Sequence, residues 1–163
     1  MSPSRAALCA ALLACLLSPQ AQAQILTHRD VSLRMGLAIA TEAVAECEKA
    51  GNGISVAVVD RIGRLRVFMQ GDKSQPHNIE LAQRKAYTAL TFGRPSAEWA
   101  ERTGPGSETN GQRSLAQVIP LRGGVPIKIG EETIGAVGVS GSSSTGDEAC
   151  AIAGIKKVSD QLK

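Results

Sequence analysis

The stretch ISVAVVDRIGRLRVFM, residues 54–69, decides the fold class of this chain. Residues 54–59 form an apolar, β-branched run, residues 60–63 supply turn chemistry, and residues 65–69 form a second short apolar run. This pattern is typical of a β-hairpin. Because the first run is apolar at nearly every position, we expect helices to cover the sheet on both faces.

A second hairpin is predicted near the C-terminus. Residues 125–129 form an apolar run, a turn follows at Gly130, and a longer apolar run covers residues 133–139. Tight hairpins join antiparallel strands and cannot join parallel neighbours, so we predict an antiparallel sheet.

A first helix is predicted before the first hairpin. The capping-box-like pair Thr27 and Asp30 predicts its start, and Gly51 predicts its end. Its predicted buried face consists of five residues at spacings of three and four: Leu33, Leu37, Ala40, Val44 and Cys47.

A second helix is predicted over residues 77–90, opened by Pro76 and ended by Gly93. Its predicted buried face is formed by Ile79, Ala82, Ala86 and Ala89. Its predicted polar side carries Gln83, Arg84 and Lys85.

Two further helices complete the predicted order. A short helix runs from Ser96 to Trp99, and residues 103–112 then read as a long exposed loop. A last helix has Asp147 in its first turn, where a carboxylate favours the helix dipole. Its predicted apolar stripe is formed by Ala151, Ile155, Val158 and Leu162. The element order predicts a single α+β domain.

The first 23 residues read as a secretory signal peptide. Arg5 provides the positive charge, residues 6–17 provide an apolar run, and residues 21–23 provide a small-residue cleavage site. The run is about a dozen residues, shorter than the roughly 20 that a membrane-spanning helix needs. The alternative is a lipoprotein leader that uses Cys15. We therefore expect residues 24–163 to form the mature domain, either periplasmic or secreted.

Charge and aromatic content argue against nucleic acid as a partner. Loss of Arg5 leaves 17 Lys and Arg against 15 Asp and Glu, so the mature chain carries a net charge of +2. That balance lacks the dense basic surface of a nucleic-acid-binding protein. One Trp, one Tyr and two Phe are too few for a base-stacking platform.

Two cysteines, Cys47 and Cys150, remain after the leader is removed. A disulfide between them would close a loop of about 100 residues in an oxidising compartment. Two separate buried thiols are the alternative, because free cysteine behaves as a small apolar residue. The sequence leaves both open.

Recognisable catalytic motifs are lacking in this chain. The two histidines remain as candidates for a functional site, as metal ligands. Residues 138–141 do not have the spacing of a nucleophile elbow, and whether the chain is an enzyme stays open. His77 follows Pro76 at a helix start, where the helix dipole disfavours the charged imidazolium. An ordinary surface histidine is the alternative there. His28 is a weaker candidate because it lies near the mature N-terminus.

Several segments, in order along nearly the whole mature chain, resemble the GlcG/HbpS haem-binding family, which is related to the C-terminal domain of PduO proteins. They are ISVAVVD at 54–60 with Gly63, RKAYTA at 84–89 with FGRP at 92–95, GGVPI at 123–127, and IGAVGVSG at 134–141 with DEACA at 147–151. The resemblance implies a profilin-like fold, an antiparallel β-sheet flanked by α-helices. It also implies a homo-oligomer with haem as the cofactor.

The resemblance also implies a haem site near the second helix. The stretch QPH at residues 75–77 is similar to the Gly-Pro-His of exported members, although the Gly is replaced here. His77 would then bind the haem iron axially. The neighbours expected to pair the propionates are Arg84, Lys85 or Arg94, and those expected to contact the ring are Tyr87 or Phe68.

Three functions follow as hypotheses. The first is an exported haem-binding protein that handles haem or iron, or assists a sensor or redox system. The second is an accessory protein that binds or processes a hydroxy-acid-type metabolite through the loops at Gly123-Gly124 and Ser140-Gly141. The third is a purely structural subunit.

Overall fold

A four-stranded antiparallel sheet forms the centre of the structure, a computed structural model that describes residues 23–163. The spatial order is β2-β1-β4-β3. The strands are β1 (Ser55–Asp60), β2 (Leu65–Gln70), β3 (Gly124–Ile129) and β4 (Glu132–Ser140). Both predicted hairpins are therefore confirmed. The predicted signal peptide lies outside the described residues, apart from its last residue, Ala23.

The helices cover both faces of this sheet, as the apolar first strand predicted. They are α1 (Leu33–Lys49), α2 (Asn78–Phe92), α3 (Ser96–Arg102) and α4 (Ser144–Lys156), with short 3-10 turns at Asn110–Ser114 and Ser159–Gln161. All six residues of β1 are buried. The α+β fold class is confirmed.

Helices α1 and α4 pack together on one face of the sheet. Their core contains Ile39 of α1 and Val56, Val58 and Val137 of the central strands, all fully buried. The predicted stripe of the last helix belongs to this core, although Val158 lies beyond the end of α4. Cys47 of α1 and Cys150 of α4 form a disulfide with a Cα–Cα distance of 5.7 Å.

The predicted start of the first helix is wrong, and its predicted buried face is only partly right. The helix begins at Leu33, and the hydroxyl of Ser32 caps it by accepting a hydrogen bond from the Met35 N–H. Asp30 does not form the predicted capping box, because its carboxylate accepts from the backbone N–H of Arg61 instead. In the predicted face, Ala40 and Cys47 are buried and Val44 packs against the core, whereas Leu33 and Leu37 are 59% and 45% exposed.

Helix α2 covers the other face of the sheet through small residues. Ala82, Ala86 and Ala89 pack against Ala57 and Ala136. Glycine in the strands lets the helix approach further, because a Cβ added at Gly138 would lie 2.1 Å from the Ala82 carbonyl oxygen. The helix backbone therefore rests almost directly on the sheet.

Two predictions for this helix are wrong. Lys85, expected on the polar side, is only 3% exposed, because the carboxylate of Asp147 pairs with it between α2 and α4. Ile79, expected on the buried face, is 36% exposed because Asn78 takes the sheet-facing position of the first turn instead. Within residues 23–163, no helix combines the length and the apolar character needed to cross a membrane.

Candidate functional site

A groove of about 590 Å³ lies between α2 and the hairpin of β1 and β2. We call it the α2 groove. Its volume falls in the range of small-molecule sites, roughly 300–1,000 Å³. Its exposed surface is largely apolar, although five of its eleven lining residues are polar or charged: Val59, Gly63, Leu65, Pro76, His77, Ile79, Glu80, Gln83, Arg84, Tyr87 and Gln117.

His77 lies at the rim of this groove, at the N-cap position of α2. Its side chain is exposed, and among the described residues it caps no backbone N–H. Its carbonyl oxygen accepts the first helical hydrogen bond, from the Leu81 N–H at 3.1 Å. The imidazole is thus presented to the groove by a rigid element, with its ring nitrogens not used in capping.

Tyr87 forms part of the groove wall about three turns further along α2. Its ring lies over the turn between β1 and β2, where Gly63 has a φ of +83°. A Cβ at Gly63 would lie 2.8 Å from the tyrosine ring. Glycine is therefore needed here both for the turn and for the close approach of the ring.

Arg84 lines the same wall between His77 and Tyr87. One terminal nitrogen of its guanidinium donates to Glu80 at 2.9 Å, and the other donates to the Val118 carbonyl at 2.7 Å. Its Nε is buried without a hydrogen-bond partner within the described part of the chain. Arg84 can therefore offer positive charge to the groove, in competition with Glu80.

Lys85 is held away from this groove. Its ammonium lies between α2, the end of β4 and the first turn of α4, where it donates to Asp147 at 2.8 Å and to the Val139 carbonyl at 2.9 Å. Burial raises the pKa of the Asp147 carboxyl above its ordinary value, and the hydrogen bond from Lys85 opposes that effect.

The remaining candidates are also dispersed. Arg94 pairs with Glu98 at 2.8 Å and borders a separate cleft with Trp99. Phe68 packs against the alanine cluster beneath α2. His28 is exposed in the extended segment before α1. The structure thus brings His77, Arg84 and Tyr87 together and leaves the other candidates elsewhere.

A smaller polar cleft of about 270 Å³ lies on the other side of His77. Asn78, Ser140 and Asp147 contribute to its wall. Sequence analysis did not single out Asn78. The available signal was a polar residue at a position of α2 that faces the sheet, because Asn78 precedes the buried Ala82 by one helical turn.

Solved structures share this arrangement of sheet and helices. The Klebsiella pneumoniae protein ORFY matches with a TM-score of 0.80 at 22% identity, over 85% of this chain and 97% of that one. A double mutant of Streptomyces reticuli HbpS matches with a TM-score of 0.78 at 30% identity, over 85% and 95%. The haem complex of PduOC matches with a TM-score of 0.73 at 25% identity, over 77% and 93%.

Sequence comparison places the chain within one family. Residues 31–156 match the family described as "Haem degrading protein HbpS-like". Protein GlcG of Escherichia coli K12 is 32% identical over 110 residues, which cover 68% of this chain and 81% of that protein. The chain belongs to the HbpS-like family, and the resemblance to GlcG and HbpS is confirmed.

Proposed function

We propose that this protein is an exported haem-binding protein, with haem in the α2 groove and His77 as its axial iron ligand. The observation that carries the proposal is the position of His77. It stands at the rim of a largely apolar groove, exposed and not engaged in capping its helix. Imidazole is a standard axial ligand of haem iron.

The donor set around His77 suits haem better than a bare metal ion. Within residues 23–163, no group of three or more His, Cys, Asp or Glu side chains comes together as a metal site. A bare zinc ion needs three or four protein ligands. Haem carries four nitrogen donors of its own and needs only an axial ligand from the protein.

The groove walls also suit haem. Val59, Leu65 and Ile79 provide apolar surface, and Tyr87 provides an aromatic ring. We assign the propionate contact to Arg84, because Arg84 lines the groove and Lys85 and Arg94 do not. A propionate there would compete with Glu80 for the guanidinium. When bound, haem supplies a redox-active iron whose potential depends on its axial ligand and surroundings.

Export is supported by two features. Residues 1–23 have the order of a secretory leader, and Cys47 is joined to Cys150. Disulfides persist mainly in oxidising compartments such as the periplasm and the extracellular space. There, the site would serve haem or iron handling, or assist a sensor or redox system. The open groove, with Leu65 and Ile79 exposed at its edge, supports a homo-oligomer in which a second copy covers part of the haem.

The loops of the hydroxy-acid hypothesis have a packing role. A Cβ at Gly124 would lie 2.0 Å from the Lys85 carbonyl oxygen, so glycine is needed there to seat α2 on the sheet. Ser140 is buried and hydrogen-bonded to Asn78. Because packing accounts for these residues, the haem hypothesis is the one to test first.

The test is a haemin titration of purified residues 24–163, followed by visible absorption. The wild-type protein should give a saturable Soret band, and His77→Ala should lose most of it. His28→Ala is the matched control, because His28 is the only other histidine in the chain and lies outside the groove. It should bind haemin as the wild type does.

Three outcomes would overturn the proposal. A wild-type response no stronger than that of an unrelated basic protein would remove haem as the ligand. A His77→Ala titration that matches the wild type would remove His77 as the iron ligand. Loss of binding in His28→Ala alone would move the site to the N-terminal segment.

A further inference from the structure

The exposed His77 is followed directly by a buried polar residue, Asn78. Asn78 is 4% exposed, whereas the next residue, Ile79, is 36% exposed. The side-chain oxygen of Asn78 accepts from the Ser140 hydroxyl at 3.0 Å, and its nitrogen donates to the Ser74 hydroxyl at 3.4 Å. Asn78 therefore ties the start of α2 to the rest of the domain.

One of these bonds ends on a central strand of the sheet, and the other leads to a second central strand through Ser74. Ser140 is the last residue of β4, and it lies directly opposite Ser55, the first residue of β1. The Ser55 hydroxyl is 2.9 Å from the Ser74 hydroxyl, which completes the path from Asn78 back to β1. The bond between Ser140 and Asn78 is buried, so water competes little for it, whereas the two bonds to Ser74 are part-buried.

The same network reaches a third element. The Lys85 ammonium is 3.5 Å from the Ser140 hydroxyl and pairs with Asp147 in the first turn of α4. The chain between β4 and α4 passes close over Asn78, since a Cβ at Gly141 would lie 3.2 Å from the Asn78 side-chain nitrogen. The first turn of α2 is thus enclosed by β1, β4 and α4.

Among the described residues, no side chain caps the first turn of helix α2, and only local turn bonds hold it, from the Asn78 and Ile79 N–H groups to the carbonyls of Gln75 and Pro76 at 3.0 and 3.3 Å. Helix ends leave free backbone N–H groups and fray readily when nothing holds them. At α1 the hydroxyl of Ser32 caps the helix, whereas at α2 the N-cap residue is His77, which makes no side-chain capping bond. The side chain of Asn78 supplies the missing restraint one residue later.

We propose that Asn78, held by Ser140 and Ser74, is a positioning residue that fixes His77 at the rim of the α2 groove. The haemin-binding test of this proposal rests on the proposed haem function, whereas the hydrogen-exchange test does not. The network fixes the position of the His77 imidazole, and Asn78 itself makes no contact with the ligand.

The experiment compares Asn78→Ala and Ser140→Ala with a matched control, Ser96→Ala. Ser96 is also a buried serine, and its hydroxyl joins the Leu121 carbonyl to the Gly124 N–H, beyond the far end of α2. Ser140→Thr keeps the hydroxyl and serves as the conservative variant. If Asn78→Ala does not fold, Ser140→Ala still removes one of the two anchoring bonds.

Two measurements are made on each variant. The first is hydrogen exchange of the Leu81 N–H, which bonds to the His77 carbonyl. It should exchange about tenfold faster in Asn78→Ala and Ser140→Ala, with central amides of α2 unchanged. The second is haemin affinity with the Soret position, where about tenfold weaker binding, or about 1.4 kcal/mol, is expected. Ser96→Ala and Ser140→Thr should leave both near wild type.

Unchanged exchange at Leu81 in Asn78→Ala would overturn the inference. So would an equal effect from Ser96→Ala, since that would indicate general loosening. If wild-type protein fails to bind haemin, the proposed function fails, and the exchange data alone decide whether Asn78 holds the start of α2. If the wild type binds through His77 but the affinity of Asn78→Ala is unchanged, the positioning role is wrong and the haem proposal stands.

Discussion

The two faces of the sheet are built from different residues. The face under α1 and α4 is packed with Ile and Val and is closed by a disulfide. The face under α2 is packed with Ala and Gly, and its margin holds the buried pair of Lys85 and Asp147. Large side chains fill one interface, whereas close backbone approach defines the other. The candidate site residues His77, Arg84 and Tyr87 lie on, or at the N-cap of, the helix on the second face.

This contrast separates the face that contributes most to the stability of the domain from the face that positions the groove residues. The first face buries the larger side chains, which contribute most of the apolar burial. The second face has little room for repacking, because the α2 backbone almost touches the strands. Damage to the first face should lower the free energy of unfolding and leave the groove intact. Damage to the second should also move the groove residues.

The largest expected effect is removal of the disulfide on the first face. Cys47 and Cys150 are 103 residues apart, and closure of a loop that long corresponds to about 4–5 kcal/mol in the chain-entropy treatment. Cys47→Ala combined with Cys150→Ala should lower the free energy of unfolding by about this amount. Urea unfolding followed by circular dichroism measures it.

The control for this change is the wild type with and without reductant. Reduced wild type should resemble the double variant. At low temperature, where the variant remains folded, its haemin titration should match that of the oxidised wild type. A variant that is fully folded but has lost haemin binding would contradict the separation of the two faces.

The next largest loss of stability is expected when the buried ion pair of the second face is broken. Asp147→Ala leaves the Lys85 ammonium buried without its carboxylate partner, which should cost about 3–5 kcal/mol. The adjacent Glu148 pairs with Arg122 at 2.7 Å in a more exposed position, with the arginine side chain 37% exposed. Glu148→Ala should therefore cost only about 0–1 kcal/mol.

Chemical unfolding of both variants checks this pair of predictions. Replacement of both buried partners, as Lys85→Met with Asp147→Leu, should recover much of the stability lost in Asp147→Ala, because no unpaired charge remains. Equal losses in Asp147→Ala and Glu148→Ala would mean that burial of the first pair has no energetic consequence.

The smallest expected effect is a single methyl group under α2. Gly138→Ala places a Cβ 2.1 Å from the Ala82 carbonyl, so the helix must move, at about 1–3 kcal/mol. Gly111→Ala is the control, because nothing lies within 4 Å of its added Cβ. The methyl at Gly138 should also weaken haemin binding. Unchanged stability and binding would show that the α2 contact is softer than its distances indicate.

Local patterns predicted the strands better than the helix faces. Both hairpins were predicted correctly because apolar runs alternate with glycine-containing turns at Gly63 and Gly130. The predicted face of the first helix included Leu33 and Leu37, whereas Met35 and Ile39, which have the same spacing, are the residues that are buried. The start was predicted too early because the Asp30 carboxylate accepts from the Arg61 backbone N–H. That contact joins segments far apart in the sequence, so helical periodicity carries no trace of it.

The groove residues on α2 were predictable from local patterns, whereas the position of Lys85 was not. His77, Arg84 and Tyr87 fall on one side of a helix at spacings of seven and three, so a correct helix prediction groups them. Lys85 is adjacent to Arg84 in sequence but lies beneath the helix. Its burial depends on Asp147, 62 residues away, and on the carbonyl of Val139. Such pairings become visible only in three dimensions.

The order of the strands bears on how the chain matures. The central strand β1 needs two neighbours, and the second of them, β4, belongs to the last hairpin of the chain. The cysteine in α1 likewise waits for its partner in the final helix. A chain that emerges N-terminus first therefore cannot finish its sheet or oxidise its native cysteine pair until almost all of it has emerged. Until then the β1 edge that faces β4 stays unpaired, and an unpaired strand edge can pair with other chains and aggregate.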